Sequence, residues 1–324
     1  MRAAVHERYG PPRRVVEIRE LDKPVPEPEE VLVRVQAASV NIADWYAVTG
    51  RPWISRPSTG LRRPKEIRVG VDYAGVVEDT GRDVTSFSPG DEVLGGRTGA
   101  CSQYVVAKAD RGVVRKPARV SFENAAAVPV AATTALQAIR DKGGLEAGQR
   151  VLVHGASGGV GTYAVQIAKA LGGVVTAVCG PRGVEVARLL GAEEVVDYTH
   201  EDVTRGDRRF ELVIDIAGTR SFRELRRVLT PKATVVVVGG KRSNRLLGPI
   251  GHLAGSRLSS SFASQNASFF LAKLRKDDLT TLSELLESGA LRSIVDSTYP
   301  LERLGEALEH MGTGHPQGKI VVTV

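Results

Sequence analysis

Apolar and polar positions change rhythm near residue 120. Before that point, short alternating runs are separated by Gly and Pro. "EEVLVRVQAASV" (29–40) alternates as a half-buried strand does, and "DYAGVVEDTG" (72–81) runs as a second strand into a glycine turn. "SPGDEVLGG" (88–96) is a turn feeding a short strand, and "CSQYVVAKADRGVVRKP" (101–117) holds two more. Short strands punctuated in this way predict a partly closed barrel. Between them, "RPWISRPSTGLRRPKEIR" (51–68) contains Pro52, Pro57 and Pro64 and reads as a long surface loop. Loops of that length tend to carry function.

After residue 120 strands and helices alternate. "RVLVHG" (150–155), "VVTAV" (174–178), "EVVD" (194–197), "LVIDIAG" (212–218) and "TVVVVGG" (234–240) are short, nearly continuous apolar strands. Val160, Ala164, Ile167, Ala168 and Leu171 fall on one helical face, and Gly172 and Gly173 end that helix. "VEVARLLGA" (184–192) and "FRELRRVL" (222–229) supply two further helices. Val/Ile-rich strands alternating with helices predict a parallel sheet covered on both faces. From about 265 the pattern mixes. Leu279, Leu282, Leu285 and Leu286 mark one helix, and Leu301, Leu304, Leu308 and Met311 another. "GKIVVTV" (318–324) is a strand too short to stand alone, so it should pair back with the first domain. The expected domains are therefore 1–120, 121–264 and a returning segment 265–324.

Composition narrows the class. At 324 residues the chain is too long for one core, and 42% hydrophobic with 25% charged residues is ordinary for a globular protein. The longest apolar runs fall well short of the ~20 residues that cross a bilayer. "MRAAVHERYG" has no apolar signal-like run, so a cytoplasmic location is expected. The two cysteines, Cys101 and Cys179, cannot make a paired-thiol zinc site. The net charge of +7 gathers at 205–209, 223–227, 241–245 and 273–276 without a nucleic-acid-binding signature. Those clusters read as solvated faces, with one or two cations serving a phosphorylated small ligand.

"HGASGGVG" (154–161) stands between an apolar strand and an amphipathic helix. It fits the dinucleotide fingerprint with Ala156 in the first glycine position, followed by Gly158 and Gly161. The N–H groups and partial positive charge of the helix start would receive a pyrophosphate. Gly158 and Gly159 let the backbone approach, Ser157 adds a hydroxyl, and Val160 completes the first turn. The bland alternative is a glycine-rich structural turn. An NAD site carries an Asp or Glu about 20 residues further on, to hold the ribose hydroxyls. Here that place falls at the neutral Cys179, with Arg182 three residues later. A carboxylate would repel a 2′-phosphate and a guanidinium would attract it, so NADPH is the expected cofactor. The alternative places Arg182 in the solvated first turn of the next helix.

With these segments in place the chain resembles the medium-chain dehydrogenase/reductase superfamily, and within it the zinc-independent quinone oxidoreductases related to ζ-crystallin. The likeness rests on "SVNIADWYAVTG" (39–50), "GVDYAGVV" (70–77), "SPGDEV" (88–93), "AAAVPVAATTALQAI" (125–139), "VLVHGASGGVG" (151–161), "LGAEEVVDYT" (190–199) and "GKIVV" (318–322). It implies an α/β fold in which a GroES-like catalytic domain is interrupted by a Rossmann-type domain, with the active site in the cleft between them. It also implies a homodimer through the Rossmann sheet edge near 258–264. Zinc-dependent members hold their metal with a Cys and a His. Asn41 and Val71 stand at those places here, and Asp72 stands where those enzymes carry a Glu. No metal is expected, nor the ordinary alcohol oxidation that depends on one.

Further residue roles follow from the resemblance alone. Asn41 and Tyr46 match positions lining the nicotinamide and substrate: Asn41 would orient either, and Tyr46 would polarise the acceptor oxygen or relay a proton. The alternative for Tyr46 is a barrel-edge aromatic. Asp44 would stabilise its turn. Thr134 matches a residue near the nicotinamide ribose, Tyr198 one near the adenosine phosphate, and Gly239 and Gly240 the strand end under the nicotinamide half. Phe262 and Ala263 match a strand whose backbone meets the carboxamide. Lys319 reads as structural more often than ligand-contacting. With no metal, the reactive end is expected to contain no cation other than the nicotinamide's own chemistry. The implied activity is NADPH-dependent hydride transfer to a small apolar quinone or α,β-unsaturated carbonyl. Alternatives are an enoyl-thioester reductase and an NADPH-binding protein with RNA-binding side activity. Trp53, Phe269 and Phe270 are expected to shape the acceptor pocket.

Overall fold

The computed structural model describes residues 1–240 and 265–324. Its chain forms two compact units, Met1–Thr133 with Lys273–Val324, and Thr134–Ala272. On sequence grounds these changes were expected at 120/121 and 264/265. Helix Phe122–Ala126 packs on four strands of the first unit and so belongs with it.

The first unit opens with an antiparallel pair, β1 (Arg2–Val5) and β2 (Glu17–Glu20). It continues with β3 (Glu30–Val40), β4 (Asp72–Thr80), β5 (Glu92–Gly96), β6 (Tyr104–Lys108) and β7 (Val113–Arg115). The second unit holds β8 (Arg150–His154), β9 (Val174–Cys179), β10 (Glu194–Asp197), β11 (Phe210–Asp215), β12 (Leu229–Val237) and β13 (Asn266–Phe269). The chain then returns to the first unit with β14 (Val295–Pro300) and β15 (Lys319–Thr323).

In the first unit β3 organises the sheet. One edge pairs with β4 along its length; the other is shared by β6 at residues 30–34 and β15 at residues 37–40. The closing strand therefore does pair back, as a lone short apolar strand must. Register then fixes the neighbourhood of the site. Ser39 lies opposite Asp72, and Ile320 opposite Val40, so Lys319 and Asn41 are the residues just beyond that last pair. Alternation along β3 puts Val31, Val33 and Val35 into one apolar cluster with Tyr73, Val77 and Val93.

The second unit is a parallel sheet in the order β10-β9-β8-β11-β12-β13. Strand order reverses between β8 and β11, the kind of place where open α/β sheets bind ligands. Helix Gly159–Ala170 follows β8, and its residues Gly161 to Ala168 are all buried. The single apolar stripe expected there understates it, because a helix apolar nearly all round is an interior helix.

Three other expectations change. The segment 222–229 is a short helix, Phe222–Leu225, then a 3-10 turn, Arg226–Val228; Leu229 already belongs to β12, paired with Phe210. The segment 51–68 contains a 3-10 turn, Trp53–Ser55, and a helix, Arg56–Thr59. Helix Ile42–Thr49, whose buried residues are Asp44 and Val48, gave no apolar period to read.

Candidate active site

At the C-terminal end of β3 the chain turns into helix Ile42–Thr49 through Asn41. The Asp44 carboxylate accepts the Asn41 backbone N–H at 2.7 Å, which supplies the N-terminal cap. The Asn41 side chain turns inward. Its Nδ2 donates to Asp72 Oδ2 at 2.9 Å, and its Oδ1 accepts from Lys319 Nζ at 2.6 Å. Lys319 also donates to the Val40 carbonyl and to Asp72 Oδ2, each at 3.3 Å. Ser39 Oγ and the Val130 backbone N–H complete the shell of Asp72, at 3.0 Å each. All five side chains, Ser39, Asn41, Asp44, Asp72 and Lys319, are buried.

Burial, reinforced by the Asp72 carboxylate and opposed by the Asn41 N–H and Lys319, raises the Asp44 pKa to about 7. Burial, and then Asp44 and Asp72, pushes the Cys101 thiol well above its ordinary value and keeps it protonated. The expectation of no cation at this end is thereby corrected. Lys319 is 1% exposed and its ammonium lies among three oxygen acceptors. Its partners in the cluster lie nearly the whole sequence away, beyond any local pattern. Tyr46 stands further along the same helix, half-buried, with its ring edge-on to Trp45 at 5.3 Å.

In the second unit the predicted phosphate loop follows β8. Gly155 has φ +94°, and its N–H and that of Ala156 donate to the Val178 carbonyl, tying the loop to β9. Gly158 caps helix Gly159–Ala170 in extended conformation, so Gly159, Val160 and Gly161 form its first turn. A Cβ on Gly161 would lie 2.1 Å from the Gly155 carbonyl oxygen, whereas one on Gly158 would meet only that oxygen, at 3.8 Å. Gly161 thus lets the helix close on the strand, and Gly158 leaves open space above the helix start. That is the cradle a pyrophosphate requires. Beneath it His154 Nδ1 and Asp215 Oδ1 lie 2.8 Å apart, and the same oxygen accepts the Gly218 N–H at 2.9 Å.

β9 ends at the buried Cys179, and Arg182 is exposed in the 3-10 turn Pro181–Gly183. A Cβ on Gly183 would come within 2.5 Å of Ser157 Cβ, so the loop and this turn touch. Tyr198, 52% exposed, lies against Gly180: its hydroxyl oxygen would be 3.0 Å from a Cβ there. Sequence reasoning missed one carboxylate. Asp197, across the ladder from Cys179, stands near this end of β9, with its Oδ1 taken by the Thr199 N–H and hydroxyl at 2.9 and 2.8 Å.

Gly239 and Gly240 follow β12, where a Cβ on Gly239 would meet the Ile216 carbonyl oxygen at 2.1 Å. Thr134 is half-buried within helix Pro129–Leu136, away from its start. Phe262 and Ala263 lie outside the described residues. Phe269 ends β13, 41% exposed. The cluster at 205–209 is paired with acids, Arg205 with Asp202 and Arg208 with Glu194 and Glu201, as a solvated face should be.

Residues 27–129 match the alcohol dehydrogenase GroES-like domain, and residues 190–322 match the zinc-binding dehydrogenase family. The mitochondrial NAD(P)H oxidoreductase RTN4IP1 of Bos taurus is 32% identical, over 92% of this chain and 82% of its own. The chloroplastic quinone-oxidoreductase QR1 of Triphysaria versicolor is 31% identical, over 99% of this chain and 98% of its own. Among solved structures, the quinone oxidoreductase from Coxiella burnetii matches with a TM-score of 0.85 at 27% identity, covering 100% of this chain and 99% of that one. The Escherichia coli quinone oxidoreductase complexed with NADPH matches with a TM-score of 0.83 at 25% identity, covering 100% of both. An NAD-dependent alcohol dehydrogenase also matches, with a TM-score of 0.85 at 29% identity over 100% of both chains.

The two relatives are named for mitochondrion and chloroplast and lend no support to the cytoplasmic location expected above. Among the described residues no helix is long and apolar enough to cross a membrane. Zinc does not fit the residues at the Asn41 site. The donors there are a carboxamide, a hydroxyl, the Asp72 carboxylate, the Asp44 carboxyl already taken by the Asn41 N–H and a protonated Cys101 thiol, with an ammonium lodged among them. Among the described residues no three His, Cys, Asp or Glu side chains converge as a metal site. A dinucleotide does fit the loop after β8. With relatives above 30% identity matching nearly its full length, the chain belongs to the quinone oxidoreductase family of the medium-chain dehydrogenase/reductase superfamily.

Proposed function

We propose that this oxidoreductase is NADPH-dependent and metal-free, and that it reduces quinones or α,β-unsaturated carbonyls. The observation that carries this reading is the buried Lys319–Asn41–Asp72 cluster at the place where zinc enzymes of the superfamily keep metal ligands. With no Lewis acid to stabilise an alkoxide, the suitable acceptor is one already activated by conjugation. Charge developing on such an acceptor spreads to an oxygen, where one or two hydrogen-bond donors stabilise it. Bound nicotinamide supplies the hydride. Asn41 and Tyr46 are the proposed donors to the acceptor oxygen.

The loop residues Ala156 to Gly161 are assigned to the pyrophosphate, with Arg182 and Tyr198 at the 2′-phosphate. Thr134, Gly239, Gly240, Phe262 and Ala263 are assigned to the nicotinamide half. The neutral Cys179 and the exposed Arg182 support NADPH over NADH. Asp197 pulls the other way, but one of its oxygens is already engaged by Thr199. A cytoplasmic homodimer joined through the sheet edge near 258–264, a segment outside the described residues, belongs to the same reading.

The test is oxidation of NADPH and NADH by purified protein with 1,2-naphthoquinone, a 2-alkenal and an enoyl thioester, with and without EDTA. The expected result is EDTA-insensitive reduction of the quinone or alkenal with NADPH preferred. Ethanol oxidation abolished by EDTA would overturn the reading.

A further inference from the structure

We infer that Lys319 is a positioning residue, which fixes the Asn41 carboxamide in one orientation so that Asn41 meets the acceptor as a hydrogen-bond donor and never as an acceptor. This rests on the reductase reading above. An isolated asparagine amide can present either its oxygen or its nitrogen to a ligand, and the two ends are of similar size. Here two independent partners choose. An ammonium group has only donors, so the atom 2.6 Å from Lys319 Nζ must be Oδ1. The carboxylate of Asp72 accepts from the other end, at 2.9 Å from Nδ2. Asp72 in turn is held by Ser39, the Val130 N–H and Lys319 itself, so it cannot turn away without leaving three donors unmatched.

The consequence is a count of hydrogens. Asn41 has two amide hydrogens; Asp72 takes one, and the other has no acceptor among the described residues. Its oxygen has two lone pairs; one accepts from Lys319 and the other faces the Asp44 backbone N–H in the capping box. What this side chain has left to offer is a single N–H, set in a buried cluster where rotation would place an amide nitrogen against an ammonium. A fixed donor of that kind suits an oxygen gaining negative charge and costs no reorganisation as the charge arrives. Lys319 acts through Asn41 and needs no contact with substrate.

The test combines exchange with kinetics. The chain has four asparagines, Asn41, Asn124, Asn244 and Asn266, so 15N-asparagine labelling gives four side-chain amide signals, and Asn41→Asp identifies the first by its loss. In Lys319→Met the hydrogen exchange of the Asn41 amide should accelerate at least about tenfold as its anchor is removed. Quinone-reducing kcat should fall at least about tenfold, the cost typical of losing one such donor, with the NADPH Kd within about twofold of wild type. Asn41→Asp keeps an oxygen for Lys319 and, by holding a proton between its carboxyl and that of Asp72, keeps the contact between them. With its fold checked by melting temperature, it should lose kcat to the same degree because no spare N–H remains. If Lys319→Met does not fold, Asn41→Asp decides.

Unchanged Asn41 exchange in Lys319→Met, or full turnover by Asn41→Asp, overturns the inference. Accelerated exchange in a protein whose wild type reduces no quinone upholds the positioning by Lys319 and defeats the reductase reading instead.

Discussion

Asp44 Oδ2 lies 2.7 Å from the backbone nitrogen of Asn41, and this one contact holds a buried carboxyl whose pKa stands near 7. Unfolded, Asp44 titrates at its ordinary value of 3.8. Between those two values the folded chain holds a proton that the unfolded chain has released. Stability from this group is therefore full below the unfolded pKa and declines as pH rises, by up to about 1.4 kcal/mol per pH unit, until it levels off above pH ~7. Asp72, Lys319 and the protonated Cys101 thiol share the cluster. Asp44→Asn keeps an oxygen for the Asn41 N–H and removes the titration. Its stability relative to wild type should rise from pH 5 to pH 8, read from urea midpoints; a constant difference would show that Asp44 does not titrate there.

The glycines of the loop after β8 separate packing from binding. Gly161→Ala would set a methyl 2.1 Å from the Gly155 carbonyl oxygen, a backbone atom that cannot step aside alone. A loss of about 1–3 kcal/mol of stability is expected, of the size that overpacking produces. Gly158→Ala adds its methyl in open space, where the chain itself objects to nothing within 3.8 Å. Its melting temperature should hold while NADPH binding weakens by about tenfold or more, since each 1.4 kcal/mol of lost contact is a factor of ten. Titrating both variants with NADPH by fluorescence checks the pair; undiminished affinity in Gly158→Ala would remove the loop from the cofactor site.

What could be read in the chain without its fold was what depends on near neighbours or on a repeating period. The glycine loop, the valine-rich strands and the return of β15 to β3 all follow from such signals. Asp44 capping Asn41 is a three-residue relation and was legible as a turn. Helix Ile42–Thr49 escaped because its buried side chains, Asp44 and Val48, make no apolar stripe. Lys319 reads as structural, but its particular partners were out of reach for a different reason. Its role exists only because β3 is long enough for β15 to align on its second half, which brings the ammonium beside Asn41 and Asp72. Asp197 is invisible along β9 alone, because only the sheet brings the end of β10 beside Cys179.

Arg182 is exposed, so its replacement should cost the fold less than about 0.5 kcal/mol. If it faces the 2′-phosphate, Arg182→Ala should lower the NADPH-to-NADH ratio of kcat/KM by about ten- to a hundredfold, the worth of one charge-assisted hydrogen bond. The loss should fall on NADPH alone, and added salt should shrink the wild-type preference while leaving the variant nearly unmoved. An unchanged ratio would transfer the choice of cofactor to another group, with Asp197 and its Thr199 lock the next place to mutate.

Tyr46 has two competing roles, and they differ in what the hydroxyl does. Its ring meets Trp45 edge-on, an arrangement that phenylalanine would keep. Tyr46→Phe thus removes the hydroxyl and keeps the ring contact. As a donor to the acceptor oxygen, or as the group passing it a proton, the hydroxyl would be worth about a hundredfold in kcat. As a packing residue it would be worth nothing in kcat, and only Tyr46→Ala would matter, by about 0.5–1.5 kcal/mol of lost ring contact beyond the buried area. The expected outcome is a fall in kcat for Tyr46→Phe with melting temperature and NADPH affinity held. The loss should also be larger for an alkenal than for a quinone, because a quinone spreads its charge over a ring and leans less on any single donor. Wild-type kcat in Tyr46→Phe for both acceptors would leave Asn41 as the sole donor to the acceptor oxygen.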